Sequence, residues 1–219
     1  MDWAIISQSL PQFAAGLWLT LKLAVIGILG ALIVGAISSL VQYFHIPVLR
    51  HVANVYIEIS RNTPLLVQLF FIFYGLPGLG VKLSANVSGV FGLIFLGGSY
   101  MAEAFTGGYN AISKSQIDSG RALGLTDMQL ARYVVLPQGL AASVPALAAN
   151  VIFLIKETSI FSVIAVPELT NTALDLIGLY YHSTEYLVVL VAAYAIVLIP
   201  LSIVLTYLER RVRYAQYGR

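Results

Sequence analysis

Residues 100–137 read YMAEAFTGGYNAISKSQIDSGRALGLTDMQLARYVVLP and form the one long polar passage in an otherwise apolar chain. Two pairs in it, Ser113 with Gln116 and Thr126 with Gln129, have the Ser/Thr-x-x-Gln spacing. At this spacing the two side chains satisfy the free amide donors of a helix N-terminus. The passage therefore predicts two short helices joined by a turn.

The ends of both helices are marked in the sequence. The first is predicted from about Lys114 to Leu123 and ends at Gly124, because glycine readily takes the left-handed conformation that follows many helices. The second is predicted to end at Pro137, because proline lacks a backbone donor and clashes with the preceding turn. We call residues 112–137 the elbow.

The composition identifies the class of protein. Hydrophobic residues make up 59% of the chain and charged residues 10%, whereas about 25% of the residues in a soluble domain are charged. We therefore expect an all-α integral membrane protein with residues 1–219 in a single domain. Cysteine is absent, which excludes disulfides and cysteine-based metal sites.

Five apolar runs predict five membrane spans, since one span needs about 20 apolar residues. The elbow lies between the third and the fourth, and an odd number of spans places the two termini on opposite sides. The runs cover approximately residues 13–41, 52–76, 87–105, 140–166 and 187–207.

The distribution of Lys and Arg predicts the orientation, because short loops rich in these residues are retained on the cytoplasmic side of the membrane. The side opposite the elbow has only Lys82. The N-terminus is therefore expected outside, with the elbow and C-terminus in the cytoplasm. The outer segment 167–185 is expected to lie in the interface as a helix or to bind an external partner. The residues on the elbow side are Arg50, Lys114, Arg121, Arg132, Arg210, Arg211, Arg213 and Arg219.

Polar side chains inside the spans are the candidates for a solute pathway. A charge within the bilayer costs about 2.5–3.5 kcal/mol, so it normally faces a cavity or a partner. Pro64 interrupts the second span, which leaves backbone groups that need such a cavity. The candidates are Glu58, Arg61, Gln68, Asn150, Lys156, Glu157 and Ser159.

Structural roles are the alternative for several of these residues. Glu58 and Arg61 are three residues apart on one helix and can pair with each other. Asn150 can make an interhelical hydrogen bond. Lys156 and Glu157 are adjacent and point in different directions, so at least one of them needs a partner elsewhere.

Several functions are excluded or disfavoured by missing motifs. There is no GxxxxGK[ST] loop for nucleotide phosphates and no GxSxG nucleophile motif. The three histidines are too dispersed for a metal site. The elbow has three basic residues tethered between two spans, which is a poor footprint for nucleic acid. We expect no metal, no nucleic acid and no catalytic residue.

The elbow resembles the cytoplasmic loop of bacterial ABC importer permeases, written EAAxxxG, nine residues, then IxLP. Asp118, Ser119 and Gly120 occupy the EAA positions, Gly124 is the glycine, and Pro137 closes the pattern at the right spacing. The departure from Glu-Ala-Ala keeps a carboxylate and two small residues.

Three further stretches resemble the polar amino acid uptake branch of these permeases. RNTPLLVQ at 61–68, KETSI at 156–160 and LPQ at 136–138 are similar to the usual RGTPLLVQ, KDTSL and LPQ. Asn62 replaces the usual glycine, and Glu157 replaces the usual aspartate. The similarity covers nearly the whole chain.

The resemblance implies a type I ABC importer permease with the elbow as coupling helix. Two permease subunits, identical or paralogous, would enclose the pathway, and two ATP-binding cassette subunits would hold ATP and Mg²⁺. An external solute-binding protein or domain would deliver an amino acid. The chain itself would bind no cofactor and catalyse no reaction. The residues implied in ATPase coupling are Glu103, Gln116, Asp118, Ser119, Gly120, Ala122, Leu123, Gly124, Leu125 and Pro137.

Two other functions fit the residues alone. A stand-alone ion-coupled carrier or channel would use the charges within the spans as an ion pathway, and in a membrane scaffold they would be structural. For an importer we expect a neutral polar amino acid, because the fourth span has no carboxylate between Leu140 and Lys156 to balance a cationic side chain.

Overall fold

The computed structural model describes the backbone of residues 2–217 and the side chains of residues 2–212. Over this range the chain has helices and no strand, which confirms the all-α fold class. Arg213 and Arg219, which contributed to the predicted charge asymmetry, lie outside the described side chains. The α-helices are α1 (Trp3–Tyr43), α2 (Leu49–Arg61), α3 (Leu65–Phe70), α4 (Ala85–Asn110), α5 (Lys114–Ala122), α6 (Asp127–Leu130), α7 (Leu136–Glu157), α8 (Leu169–Tyr180) and α9 (Ser183–Tyr217).

Four of the described helical stretches are long and apolar enough to cross a membrane, and counting one bent pair as a single broken span gives up to five. The four are α1, α4, the continuous stretch 127–164 and the stretch 183–212. The first begins ten residues earlier than predicted, because the Asp2 side chain accepts a hydrogen bond from the Ala4 amide at 2.9 Å and caps α1.

The second span is broken. Its two halves, α2 and the helical stretch 65–79, meet at an angle of 104°, at the interruption that the sequence predicts. Pro64 causes the break, since it lacks an amide donor and keeps the preceding residue out of the helical conformation. The side-chain amide of Gln68 stabilises the bend by donating to the carbonyls of Ser60 and Thr63, each at 2.9 Å.

The first helix of the elbow forms as predicted. Ser113 Oγ accepts a hydrogen bond from the Gln116 amide, and Gly124 follows the helix with φ of +79°. The amide of Leu125 donates to the Gly120 carbonyl at 3.1 Å, and that of Gly124 donates to the Arg121 carbonyl at 2.9 Å. These two bonds form a Schellman motif, which ends the helix sharply.

The second elbow helix also begins as predicted, with a complete capping box between Thr126 and Gln129. The prediction that Pro137 ends it is wrong. A π turn over Ala131–Val135 joins α6 to α7, and Pro137 falls in the first turn of α7. The wider turn shifts the hydrogen-bond register, so a missing donor at this position is tolerated. The elbow is therefore continuous with the fourth span.

The core lies where α1 crosses α4 and α4 packs on α7, with Leu93, Met101 and Leu154 fully buried. Gly35 permits the close approach of α1 and α4. A methyl group added at this position would lie 2.8 Å from the Ala102 amide nitrogen and 2.9 Å from the Met101 carbonyl carbon. Both contacts are with backbone, so one helix would have to shift.

We expect Gly35→Ala to lower the free energy of unfolding by about 1–3 kcal/mol through this overpacking. Gly107→Ala is the matched control, because Gly107 also lies within a helix but has nothing within 4 Å of an added methyl group. It should be neutral or stabilising by up to about 1 kcal/mol. Thermal unfolding of the two purified variants compares them; equal stability would contradict the close crossing.

Candidate functional site

A cavity of about 310 Å³ lies beside the break in the second span. The end of α2 and the start of α3 form one wall, and α4 and the end of α7 form the other. The residues that line it include Arg61, Pro64, Tyr100, Phe153 and Glu157. Three separate spans therefore contribute to one cavity.

Arg61 does not pair with Glu58, although the helical spacing allows that pair. Its guanidinium binds Glu103 Oε1 of α4 and lies over the Tyr100 ring, 5.2 Å from the centroid. Arg61 is the last residue of α2, where the chain turns against α4, whereas Glu58 is exposed on another face. The ion pair and the ring contact hold the end of α2 on α4.

The family resemblance implied a role for Glu103 in ATPase coupling, but Glu103 lies within α4 rather than on the elbow, and it pairs with the cavity-lining Arg61. Its side chain and that of Arg61 are about half and one-third exposed, respectively. The pair therefore lies at the edge of the cavity. Since α4 leads directly into the elbow, Glu103 connects the predicted pathway to the predicted coupling segment.

Asn150 and Gln68 support the cavity rather than line it. Asn150 Nδ2 donates to the Tyr100 carbonyl at 3.0 Å, the interhelical bond that was the alternative role for this residue. Gln68 is buried at the bend, and within the described part of the chain its Oε1 has no hydrogen-bond partner. The described residues that line the cavity include neither Lys156 nor Ser159.

The elbow presents an apolar surface. Leu123 is 82% exposed, Met128 63% and Tyr133 64%. The sequence interpretation included Leu123 but missed the other two, although both are apolar residues beside a strongly capped polar helix start. The implied residues Gln116, Asp118, Ser119 and Ala122 are also exposed, and Leu125 is half-buried.

Two glycines of the elbow have different structural roles. Gly120 is buried, and a methyl group there would lie 2.5 Å from Leu130, so its small size lets α5 pack on α6. Gly124 has nothing within 4 Å and is required for its positive φ. An exposed salt bridge between Arg121 and Asp127, at 3.3 Å, spans the turn. Such exposed pairs contribute little to stability.

The outer segment 167–185 contains a helix, as predicted, and α8 packs between α1 and α9 through Leu169, Ala173 and Leu176. Sequence reasoning missed the fully buried Glu168 that begins it. Its carboxylate accepts from the Thr170 and Asn171 amides, at 2.9 and 2.7 Å. The sequence does contain a feature that could have identified Glu168 as a helix cap, namely a carboxylate directly before an apolar helical pattern.

Burial raises the pKa of Glu168 to about 7 from its usual 4.5, because desolvation disfavours the charged form more than the hydrogen bonds favour it. Glu168 lies outside the four long spans. Thr20 of α1 also donates to its carboxylate, at 3.5 Å. The protonation of this one group is thus linked to the packing of α8 on α1.

Comparison with known sequences identifies one family. The family described as "binding-protein-dependent transport system inner membrane component" matches residues 31–214. The glutamine transport system permease protein GlnP of Escherichia coli is 34% identical over 214 residues, covering 97% of this chain and 98% of that protein. The L-cystine transport system permease protein TcyB of Bacillus subtilis is 34% identical, covering 96% and 91%.

Solved structures agree with these matches. The crystal structure of an amino acid ABC transporter with histidines superposes with a TM-score of 0.92 at 33% identity, covering 96% of this chain and 99% of that chain. Inward-facing conformations of the MetNI methionine ABC transporter give a TM-score of 0.79 at 18% identity, covering 97% and 99%. The second likeness concerns the fold alone.

The raised pKa of Glu168 predicts a pH-dependent stability. The folded state retains this proton to a higher pH than the unfolded chain does. The free energy of unfolding should therefore fall as pH rises from about 4.5 to about 7, by on the order of 3 kcal/mol. Thermal unfolding across this pH range measures the slope.

Glu168→Gln should lower the overall stability and remove this contribution to the slope, because the side chain can no longer titrate. Glu58→Gln, the same change at an exposed position, is the control and should keep the slope. A slope that persists in Glu168→Gln would show that another group is responsible.

Proposed function

The chain belongs to the family of binding-protein-dependent transport system inner membrane components, and we propose that its elbow docks on an ATP-binding subunit and thereby opens and closes the cavity at the broken span. The chain is a permease subunit of an amino acid ABC importer, a multi-pass membrane protein that works with ATPase and binding-protein partners. The family favours this function over a stand-alone ion-coupled carrier.

The observation that supports the mechanism is that both helices flanking the elbow reach the same cavity. On one side, α4 contributes Glu103 and Tyr100, which hold Arg61. On the other, the helix that begins at Asp127 continues to Phe153 and Glu157. A rigid displacement of the elbow would therefore move two cavity walls at once, whereas a flexible loop would absorb it.

The energy for this movement would come from the partner. Two ATP-binding subunits would hold ATP and Mg²⁺, and their closure would bring the elbows of two permease subunits together. The permease contributes differential binding of two conformations rather than a covalent step. The exposed Leu123, Met128 and Tyr133 form the apolar surface that suits docking into a groove.

The cavity has the charges that an amino acid requires. Among the described residues that line it, Arg61 and Glu157 are the two charged ones. They can face the carboxylate and the ammonium that every α-amino acid has. No third charge is present in that lining to select a charged side chain, so a neutral polar amino acid fits best. The relatives named for glutamine and cystine support this substrate class.

We place the chain in the bacterial cytoplasmic membrane with its N-terminus outside and its C-terminus in the cytoplasm. The support is the excess of Lys and Arg on the elbow side. In this orientation the elbow meets the ATP-binding subunits, and the face with α8 meets the external solute-binding protein or domain. The second permease subunit completes the pathway.

Leu123→Asp should prevent the ATP-binding subunit from co-purifying with the permease and abolish amino-acid-stimulated ATP hydrolysis. The leucine is exposed, so its replacement leaves the fold intact and changes only the docking surface. Leu79→Asp is the control, since Leu79 is 74% exposed on the opposite side of the proposed membrane. Normal co-purification of Leu123→Asp would contradict the role of the elbow.

Glu103→Gln should leave co-purification of the ATP-binding subunit unchanged but reduce transport in proteoliposomes about tenfold or more, as expected from the loss of a charge-assisted hydrogen bond of about 1.5–3 kcal/mol. The exchange Arg61→Glu with Glu103→Arg should restore the thermal stability lost in Glu103→Gln, because the two charges can pair again, but not transport, because position 61 would then repel the substrate carboxylate. Full activity of Glu103→Gln would show that the pair is not needed.

A further inference from the structure

A second polar cavity, of about 370 Å³, lies where α1 ends and α2 begins. It is bounded by the last turn of α1, the first turns of α2 and the C-terminal turns of α4. Arg50 lines it, whereas Arg61, at the other end of α2, lines the cavity described above. The two arginines are separated by about 16 Å along the helix. This cavity has no place in the proposed transport pathway.

The cavity is cationic. Arg50 supplies its positive charge, and no Asp or Glu is found among the described residues of its lining. The structure shows no ion pair between Arg50 and any described carboxylate. An arginine that faces a polar cavity without a counter-ion is a binding group for an anion, and its planar fork fits phosphate or carboxylate.

Amide groups add hydrogen-bond donors in fixed positions. Gln42 Nε2 donates to Asn54 Oδ1 at 2.8 Å, and Thr106 Oγ1 donates to Gln42 Oε1 at 3.0 Å. With Oδ1 engaged in this way, the Asn54 NH₂ group has no acceptor among the described residues. Asn54 and Arg50 are four residues apart on α2, so the free amide donor and the guanidinium line the same cavity from one helix face. Together they are donors of the kind that bind an oxyanion.

The loop at the mouth of the cavity is held in a strained conformation. His45 and Val48 have φ of +53° and +66°, values that non-glycine residues rarely adopt and that cost about 1–3 kcal/mol each. His45 Nδ1 donates to the Tyr43 carbonyl at 2.8 Å, which fixes the ring. A strained loop persists only where its surroundings determine it, so this one is a defined part of the cavity.

The same loop exposes apolar side chains at the point where a span ends. Val48 is 77% exposed and Leu49 52%, with Phe44 and Ile46 each at 38%. Apolar residues that flank a basic group at the end of a span lie at the boundary between acyl chains and headgroups. Phospholipid phosphates are concentrated at this level, so they are the anions nearest to the cavity.

We infer that this cavity binds the phosphate group of a phospholipid headgroup, with Arg50 as its counter-charge and the Asn54 amide as a donor. The apolar rim covers the adjoining part of the acyl chains. Because α1, α2 and α4 all contribute to the cavity, the bound phosphate would tie the start of the broken span to two other helices. The inference requires only that the chain spans a bilayer and is independent of the transported substrate.

The test uses the purified full-length permease in detergent, without partner subunits, and measures thermal unfolding against added ligand. Dioleoylphosphatidylglycerol should raise the unfolding temperature, whereas dioleoylglycerol, which has the same chains and no phosphate, should not. Inorganic phosphate forms a third arm. If it reproduces the stabilisation at equal concentration, the phosphate chemistry stands and the lipid source is wrong.

Two variants locate the effect. Arg50→Gln should weaken the apparent affinity for the lipid about tenfold or more, since it removes a charge-assisted contact. Asn54→Asp should do the same, because it keeps the acceptor for Gln42 but replaces the free donor with a negative charge. Arg132→Gln, at an exposed arginine of the elbow, is the matched control and should retain the affinity.

The inference is overturned if dioleoylglycerol stabilises as well as the phospholipid, or if both cavity variants keep the wild-type affinity. Asn54→Asp preserves the size of the side chain, so it gives an answer even if Arg50→Gln does not fold. Since no ATPase or amino acid is present, the outcome does not depend on the proposed function.

Discussion

A helix that breaks inside a bilayer must satisfy its free backbone groups within the protein, and the second span does so through one buried amide. The side chain of Gln68, which lies beyond the bend, donates to the carbonyls of Ser60 at the end of α2 and Thr63 in the bend itself. This bend ends α2 at Arg61 and turns its side chain toward α4. The cavity, the ion pair with Glu103 and the contact with Tyr100 all depend on it.

The elbow can transmit movement to the cavity because it is joined closely to α4 on one side and to α7 on the other. A flexible linker on either side would isolate it, but α5 begins only a few residues after α4 ends, and the stretch 127–164 is helical throughout. The Schellman motif at Gly124 and the capping box at Thr126 fix the turn between its two helices. Together they make the elbow a rigid connection between two walls of one cavity.

Local features of this structure could be predicted from the sequence, whereas contacts between distant residues could not. The caps at Ser113 and Thr126 and the turn at Gly124 depend on neighbours a few residues away, and they formed as expected. The spans followed from apolar run length. The spacing of Arg61 and Glu58 left a pair within their own helix as an alternative role, because the sequence does not show which other helix lies beside Arg61.

The same limit explains the other errors. Glu103 lies 42 residues from Arg61. The hydrophobic periodicity of the sequence does not show that α4 passes the end of α2. Pro137 ends a regular helix but is accommodated after a π turn, and that turn has no local signature in the sequence. Glu168 was overlooked because its burial depends on Thr20 of α1, which is 148 residues away.

If movement of the elbow changes the cavity, a distance across the cavity must change with the nucleotide state of the ATP-binding subunits. The chain has no cysteine, so Leu66→Cys and Ile160→Cys, both at cavity-lining positions, give unique sites for spin labels. In the assembled transporter, the distance between the two labels should differ by several ångströms between the nucleotide-free and ATP-bound states. Permease that carries Leu123→Asp should show no difference when ATP-binding subunits and ATP are added, because the two proteins no longer associate. An unchanged distance in a transporter that hydrolyses ATP and imports its substrate would show that the elbow does not move the walls of this cavity.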